Sequence, residues 1–361
     1  MKLAIHKLDW YIIKKFIGTY FFSIGLIISI AVVFDYAEKM DDFYKYNAPL
    51  KEIIFSYYLN FIPYFSNLFS SLFIFISVIF FTSKMAYNTE IIAILSSGVS
   101  FKRLMWPYFL ASAFLAILSF LLSGYIIPPA NKNRLEFEWT YVKPNAKVDA
   151  VDLHRQIEPD VFLYLSNFNS YNDIAKDLSI EKFEKGNLKS KLICDYAKWD
   201  TAKTKWTVHN YYIRTFENSK EIVTSGYSMD TTLNVMPSDL TTRKAFVQGM
   251  NNFELKQYIE DQKMQGATVE EFEVERYSRF AYPFSTFILA LIGVTLSSRK
   301  TRGGMGLNIG IGLLISFTYI LFMRFTAMFA VGGSLPPAIA VWIPNILFAV
   351  IGVWLYRKAP K

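Results

Sequence analysis

Asn88-Thr89-Glu90-Ile91-Ile92-Ala93-Ile94-Leu95-Ser96-Ser97-Gly98-Val99-Ser100 is a short amphipathic stretch held between two apolar runs, 53–81 and 104–127, each long enough to cross a bilayer. A crossing needs about 20 apolar residues, and the same criterion selects 16–34, 280–296, 307–328 and 338–356. Six crossings follow, with the amphipathic stretch between the second and the third. Most of the polar sequence falls in one block between the third and the fourth. The expected fold class is therefore an α-helical polytopic membrane protein with six transmembrane helices and an inserted domain. Residues 1–127 carry the first three helices and a cytoplasmic helix near 88–98, 128–272 the insert, and 273–361 the last three helices.

Composition agrees with this division. Of 361 residues 53% are hydrophobic and 17% aromatic, too apolar and too unevenly so for an ordinary soluble domain. Lys and Arg orient such a chain, because cytoplasmic loops retain them. Lys2, Lys7, Lys14 and Lys15 precede the first run, Lys84, Lys102 and Arg103 flank the loop after the second, Arg299, Lys300 and Arg302 follow the fourth, and Arg357, Lys358 and Lys361 follow the sixth. These regions share one side, so both termini are expected in the cytoplasm. The loop with Asp35, Glu38, Asp41 and Asp42 falls opposite. The first run has no small-residue cleavage site after it and outlasts a signal peptide's apolar core, so it reads as a retained span. The net charge of +8 is explained by topology signals and anionic headgroups, and no nucleic-acid partner is expected.

Residues 128–272 change to period-two alternation broken by turns, the mark of β structure. Strands are expected over 161–165, 178–183, 190–196, 205–216 and 231–235, with turns at Glu184-Lys185-Gly186-Asn187 and Asp200-Thr201-Ala202-Lys203. A sandwich, a barrel or a jelly roll would all fit. A helix follows over 252–265, with Asn252 as N-cap, Phe253, Leu255 and Ile259 as apolar positions and Gly266 as its stop. Trp199 and Trp206 read as core anchors, and Cys194, the single cysteine, as a buried strand residue.

His6, His154 and His209 are scattered without metal-ligand spacing, and no nucleophile elbow is present. The glycines at 303–312 lack the Lys and Ser or Thr of a phosphate-cradling loop. Gly306 and Gly310 instead have the spacing that permits close helix packing. In the amphipathic stretch, Ile91, Ile94 and Leu95 share a face suited to a groove on another protein, and Glu90 starts the helix at its positive dipole end. Arg324 interrupts the fifth apolar run, where a charge is costly and faces a cavity or a partner. Lys39 and Lys45 follow the first run and Lys132 and Arg134 the third, all on the outer side, where they can also snorkel to headgroups or pair with acids such as Asp35 or Glu38.

Three patches carry a family resemblance: Glu90-Ile91-Ile92-Ala93-Ile94-Leu95-Ser96-Ser97-Gly98-Val99-Ser100, Arg279-Phe280-Ala281-Tyr282-Pro283-Phe284, and Arg302-Gly303-Gly304 running into Gly306, Gly310 and Gly312. In this order, over essentially the full length, the chain resembles the lipopolysaccharide-export permeases of the LptF/LptG (YjgP/YjgQ) family. The resemblance implies a periplasmic jellyroll-like β domain and residence in the inner membrane of a Gram-negative bacterium. It also implies an exporter subunit with no enzymatic activity or cofactor of its own. Its partners would be a cytoplasmic ABC ATPase dimer that uses ATP, a second homologous permease, periplasmic bridge proteins and lipopolysaccharide. Glu90, Ile91, Ile94, Leu95 and Gly98 then become the ATPase-coupling residues, Glu90 foremost. Arg324, Lys39, Lys45, Lys132 and Arg134 become the candidates for substrate phosphates. The family often has a basic residue at the outer end of the first span, where this chain has Val32, Val33 and Phe34; Lys39 is the nearest substitute. A rival reading is a mechanotransmission permease, which couples cytoplasmic ATP hydrolysis to an outside domain without moving lipid. A membrane-anchored enzyme would need a catalytic constellation in 128–272, and the sequence offers none.

Overall fold

A computed structural model describes residues 6–359 apart from 143–149, 171, 202, 218–219, 234, 241–243, 265–267 and 300–303. Lys2, Gly266, Lys300, Arg302, Gly303 and Lys361, all used above, lie outside the described residues. Two compact units form: 1–142 with 248–255 and 270–361, and 143–247 with 256–269. The helical unit thus extends to Val142, past residue 127.

In chain order the helices are α1 (Lys7–Lys45), α2 (Leu50–Glu52), α3 (Leu59–Leu68), α4 (Ser70–Tyr87), α5 (Glu90–Ser96), α6 (Phe101–Leu121), α7 (Ile127–Tyr141), α8 (Asn252–Met264), α9 (Glu270–Ser297), α10 (Gly304–Val331) and α11 (Pro337–Lys358). π-helical turns at Ile53–Tyr58 and Leu122–Ile126 join α2 to α3 and α6 to α7. Six helical stretches among the described residues are long and apolar enough to cross a membrane, as expected. The second crossing is not one helix. It breaks at Phe69, leaving α3 and α4 end to end, and Pro63 has already removed one hydrogen bond from α3.

On α1, Ile12, Phe16, Tyr20, Ile24 and Ile28 recur at four-residue intervals and are buried, forming the stripe that packs on α4 and α6. Phe21, Phe22, Leu26, Val33 and Phe34 on the same helix stay exposed, the pattern of a span bathed in lipid. A second cluster joins Phe75 and Ile79 of α4 to Leu289, Ile292, Tyr319 and Phe348 of α9, α10 and α11. Gly293 and Gly312 permit that approach: a Cβ on Gly293 would lie 2.9 Å from Val78, and one on Gly312 would collide with Ile79. Gly306 and Gly310, the pair singled out by spacing, meet nothing within 4 Å. Their face is open in this chain.

The insert is a jellyroll-like antiparallel β domain. Its strands are β1 (Val151–Glu158), β2 (Val161–Asn169), β3 (Ile174–Glu184), β4 (Asn187–Asp200), β5 (Lys205–Glu217) and β6 (Lys220–Thr231), paired in chain order as a meander. Lys185 and Gly186 both take positive φ, the geometry of the tight β3–β4 hairpin. One face of the sheet supplies the core, including Leu163, Leu165, Phe168, Leu178, Ile180, Cys194 and Val208. Trp206 is buried there and donates its Nε1 to the Val235 carbonyl at 2.8 Å, with Trp199 edge-on to it. Burial pushes the Cys194 thiol up to about 12, so it stays protonated.

Of the strand expected over 231–235, Thr231 closes β6, residue 234 lies outside the described residues, and no strand is formed by the other three; Val235 serves the core and accepts from Trp206. At α8 the N-cap is Asn251 rather than Asn252. Its side chain accepts from Phe253 and Glu254, and Glu254 accepts from the Asn251 amide, all at 2.9 Å. Leu255 and Ile259 are buried as expected, but Phe253 is exposed.

Candidate functional site

The cytoplasmic end of the helical unit is built around α5. Thr89, with φ of 62°, turns the chain out of α4 so that α5 opens on Glu90. The apolar face expected to meet another protein is turned inward: Ile91 is buried in the core shared by α1, α4 and α6, and Ile94 and Leu95 pack against it. Ile92, Ala93, Ser96, Ser97 and Gly98 are the exposed residues. Glu90 is half-buried and accepts hydrogen bonds from the Tyr11 hydroxyl of α1 at 3.3 Å and the Asn88 amide at 3.2 Å.

Beside it lies a fork that sequence reading missed. Arg103, at the start of α6, donates to both carboxylate oxygens of Asp9 at 2.6 Å each, and the His6 amide donates to the same carboxylate at 2.8 Å. Asp9 is 1% exposed, so its charge depends on this partner. The two residues are 94 positions apart, and only the fold brings them together. Together with the Tyr11–Glu90 contact, the fork fastens α1 to both α5 and α6.

At the outer end, the basic residues proposed as phosphate contacts divide. Lys39 donates to Asp35 at 2.8 Å, Glu138 at 3.4 Å and the Tyr57 hydroxyl. Arg134 is buried, donates to Asn131 and Glu138, and lies over the Tyr64 ring at 5.0 Å. These two are occupied in a network joining α1, the π turn after α2, and α7. Lys45 is exposed over the Tyr46 ring and Lys132 is exposed.

Arg324 is different. It is exposed on α10 and makes no ion pair among the described residues. It stands at a cavity of about 190 Å³ within the helical unit, lined by Tyr64, Asn67, Ser71, Ser119, Glu275, Ser278, Tyr282 and Arg279 among others. The lining is largely hydroxyls and amides already engaged with one another: Ser119 donates to Asn67 at 2.7 Å, Asn67 to Ser123 at 2.9 Å, and Ser71 bonds Ser285 at 2.9 Å. Arg279 is buried and donates to Glu275, to the Met250 carbonyl and to Asn252. The cavity thus places an unpaired cation at a polar recess inside a membrane span, with the Glu275 carboxylate across the same recess held by Arg279.

This architecture is that of a multi-pass inner-membrane protein with a periplasmic β domain. The family model of the lipopolysaccharide export system permease LptF/LptG matches residues 10–358, and the chain belongs to that family. Membership assigns the general role of a permease subunit in lipopolysaccharide export, with ABC transporter partners. No curated protein matches the chain.

Proposed function

We propose that the chain is one of two permease subunits that extract lipopolysaccharide from the outer leaflet of the inner membrane and pass it to a periplasmic protein bridge. The energy comes from a pair of cytoplasmic ATPase subunits. The observation that carries this reading is Arg324, the unpaired cation beside the polar cavity in α10. A phosphate of the lipid's head would take this position, with Lys45 and Lys132 as further contacts. Lys39 and Arg134 already have carboxylate partners and hold the outer ends of α1 and α7 in place. The open Gly306 and Gly310 face supports a place for the second permease.

On the cytoplasmic side the ATPase meets the exposed side of α5, at Ile92, Ala93, Ser96 and Gly98. Glu90 acts from within: its bond to Tyr11, with the packing of Ile91, Ile94 and Leu95, conveys a push on α5 to α1.

The test is lipid cross-linking and ATP-driven lipid release from the complex recovered in mild detergent. Arg324→Gln should lower lipopolysaccharide cross-linking and release while leaving subunit assembly intact. Glu90→Ala should uncouple ATP hydrolysis from release in a folded permease. Wild-type behaviour of the Arg324 variant overturns its substrate role. ATP hydrolysis without lipopolysaccharide in the wild-type complex overturns the exporter reading in favour of mechanotransmission.

A further inference from the structure

A groove runs along the outside of the helical unit between α6, α9 and α11. It comprises two stretches of about 520 and 490 Å³ that share Phe109, Phe287, Ile288 and Ala349 and so are continuous. Its cytoplasmic end lies at Lys102, in the first turn of α6, and Tyr356, in the last turns of α11. Its other end lies at Trp342, in the second turn of α11. Trp342 to Tyr356 spans about 21 Å of helix, more than the roughly 15 Å of one hydrocarbon leaflet. The walls are mostly apolar: Asn345 is spent on the Tyr319 hydroxyl and the Ala281 carbonyl, Tyr108 on Thr82, and the Ser112 hydroxyl is buried without a hydrogen-bond partner.

Two observations identify the occupant. First, Trp106, Phe109 and Phe287 are bulky and keep a helix backbone away, whereas helices meet in membranes over small residues, as the open Gly306 and Gly310 face would allow. A flexible hydrocarbon chain fits between such rings. Second, Lys102 is exposed at the cytoplasmic rim and makes no ion pair among the described residues, while its neighbour Arg103 is consumed by Asp9. Basic rims between spans on the cytoplasmic side suit anionic headgroups.

We propose that this groove is a binding site for an anionic phospholipid of the inner leaflet, with an acyl chain along Ile288 and Ala349 and the phosphate at Lys102. The site takes a lipid from the leaflet opposite the one exported from, and it does not depend on the exporter reading.

The experiment is native mass spectrometry of the full-length protein with its co-purifying subunits, stripped of lipid and titrated with phosphatidylglycerol or phosphatidylcholine of the same acyl chains. Wild type should retain phosphatidylglycerol about fivefold more tightly, the effect of one cation at a charged surface. Lys102→Gln, a change at an exposed position that leaves the packing alone, should erase that preference. Ala349→Trp, which fills the groove where its two stretches overlap, should remove one bound lipid of either kind. The proposal fails if Lys102→Gln leaves the preference unchanged, or if Ala349→Trp retains as many lipids as wild type. It also fails if the groove-filling change releases a protein subunit instead, which would make the groove a seat for a helix.

Discussion

In the helical unit Asp9 is sealed from solvent and held by a two-pronged guanidinium, whereas in the β domain Glu184–Lys189, Asp230–Lys203 and Glu221–Arg214 pair on open strand faces, every partner at least 39% exposed. The bond lengths are similar, from 2.5 to 3.0 Å. The surroundings set the energetics. A buried pair that loses one partner leaves a stranded charge, while water takes up an exposed charge at once.

Arg103→Ala should therefore have the largest effect, a loss of about 3–5 kcal/mol, read by denaturant titration of the full-length protein in detergent. Replacing Asp9 and Arg103 together by Leu should recover most of it, because no charge is then left unpaired. Glu138→Ala removes the acceptor shared by Lys39 and Arg134, and a loss of about 1.5–3 kcal/mol is expected in the same titration, smaller because Asp35 and Asn131 still serve the two cations. The glycines extend the contrast. Gly293→Ala presses on Val78 between packed spans and should cost about 1–3 kcal/mol. Gly226→Ala in β6 meets only the free end of the Tyr211 ring, which can swing aside, so melting of that variant should follow wild type.

The smallest effect is a pH dependence of the β domain. Hydrogen bonds from Lys189, Arg214 and Lys203 hold the Glu184, Glu221 and Asp230 carboxyls below their ordinary values of 4.5, 4.5 and 3.8. A carboxyl depressed in the folded state adds stability that is complete above its unfolded value and lost as pH falls through the folded one. Amide protection factors in the β domain, exchange rates corrected for the intrinsic pH dependence of the amide, should therefore be flat at neutral pH and fall as acid passes below 4.5 and 3.8. Replacing the three acids by their amides should flatten the acid limb.

Hydropathy made the six spans legible because lipid exposure leaves whole helices apolar. The break at Phe69 escaped it, since α3 and α4 are apolar on either side. In the β domain, Val161-Phe162-Leu163-Tyr164-Leu165 and 205–216 showed themselves through apolar residues on a buried face. β6 did not, because its residues are nearly all exposed or half-exposed and show no inward period. The site was less legible still. The pairing of Lys39 with Asp35 and of Arg134 with Glu138 lies within one helical turn and was open to the sequence; that Glu138 also joins Lys39 across 99 residues was not. Ile91, Ile94 and Leu95 were correctly placed on one face, but periodicity does not say whether a face meets its own chain or another. Arg324 stood out in the sequence because its signal is local: one charge in an apolar run.

The third crossing does not stop at the membrane. From Phe101 to Tyr141 the helix continues through the π turn at Leu122–Ile126, a shaft of about 60 Å against an apolar slab of roughly 30 Å. About half of it stands clear of the hydrocarbon. Asp9 clamps its lower end through Arg103, and Lys39 reaches its upper part through Glu138. The first helix and this shaft are thus pinned at two levels, like rails with two crossties. Sliding one along the other requires breaking charge pairs at both levels, while bending is easiest at the π turn between them.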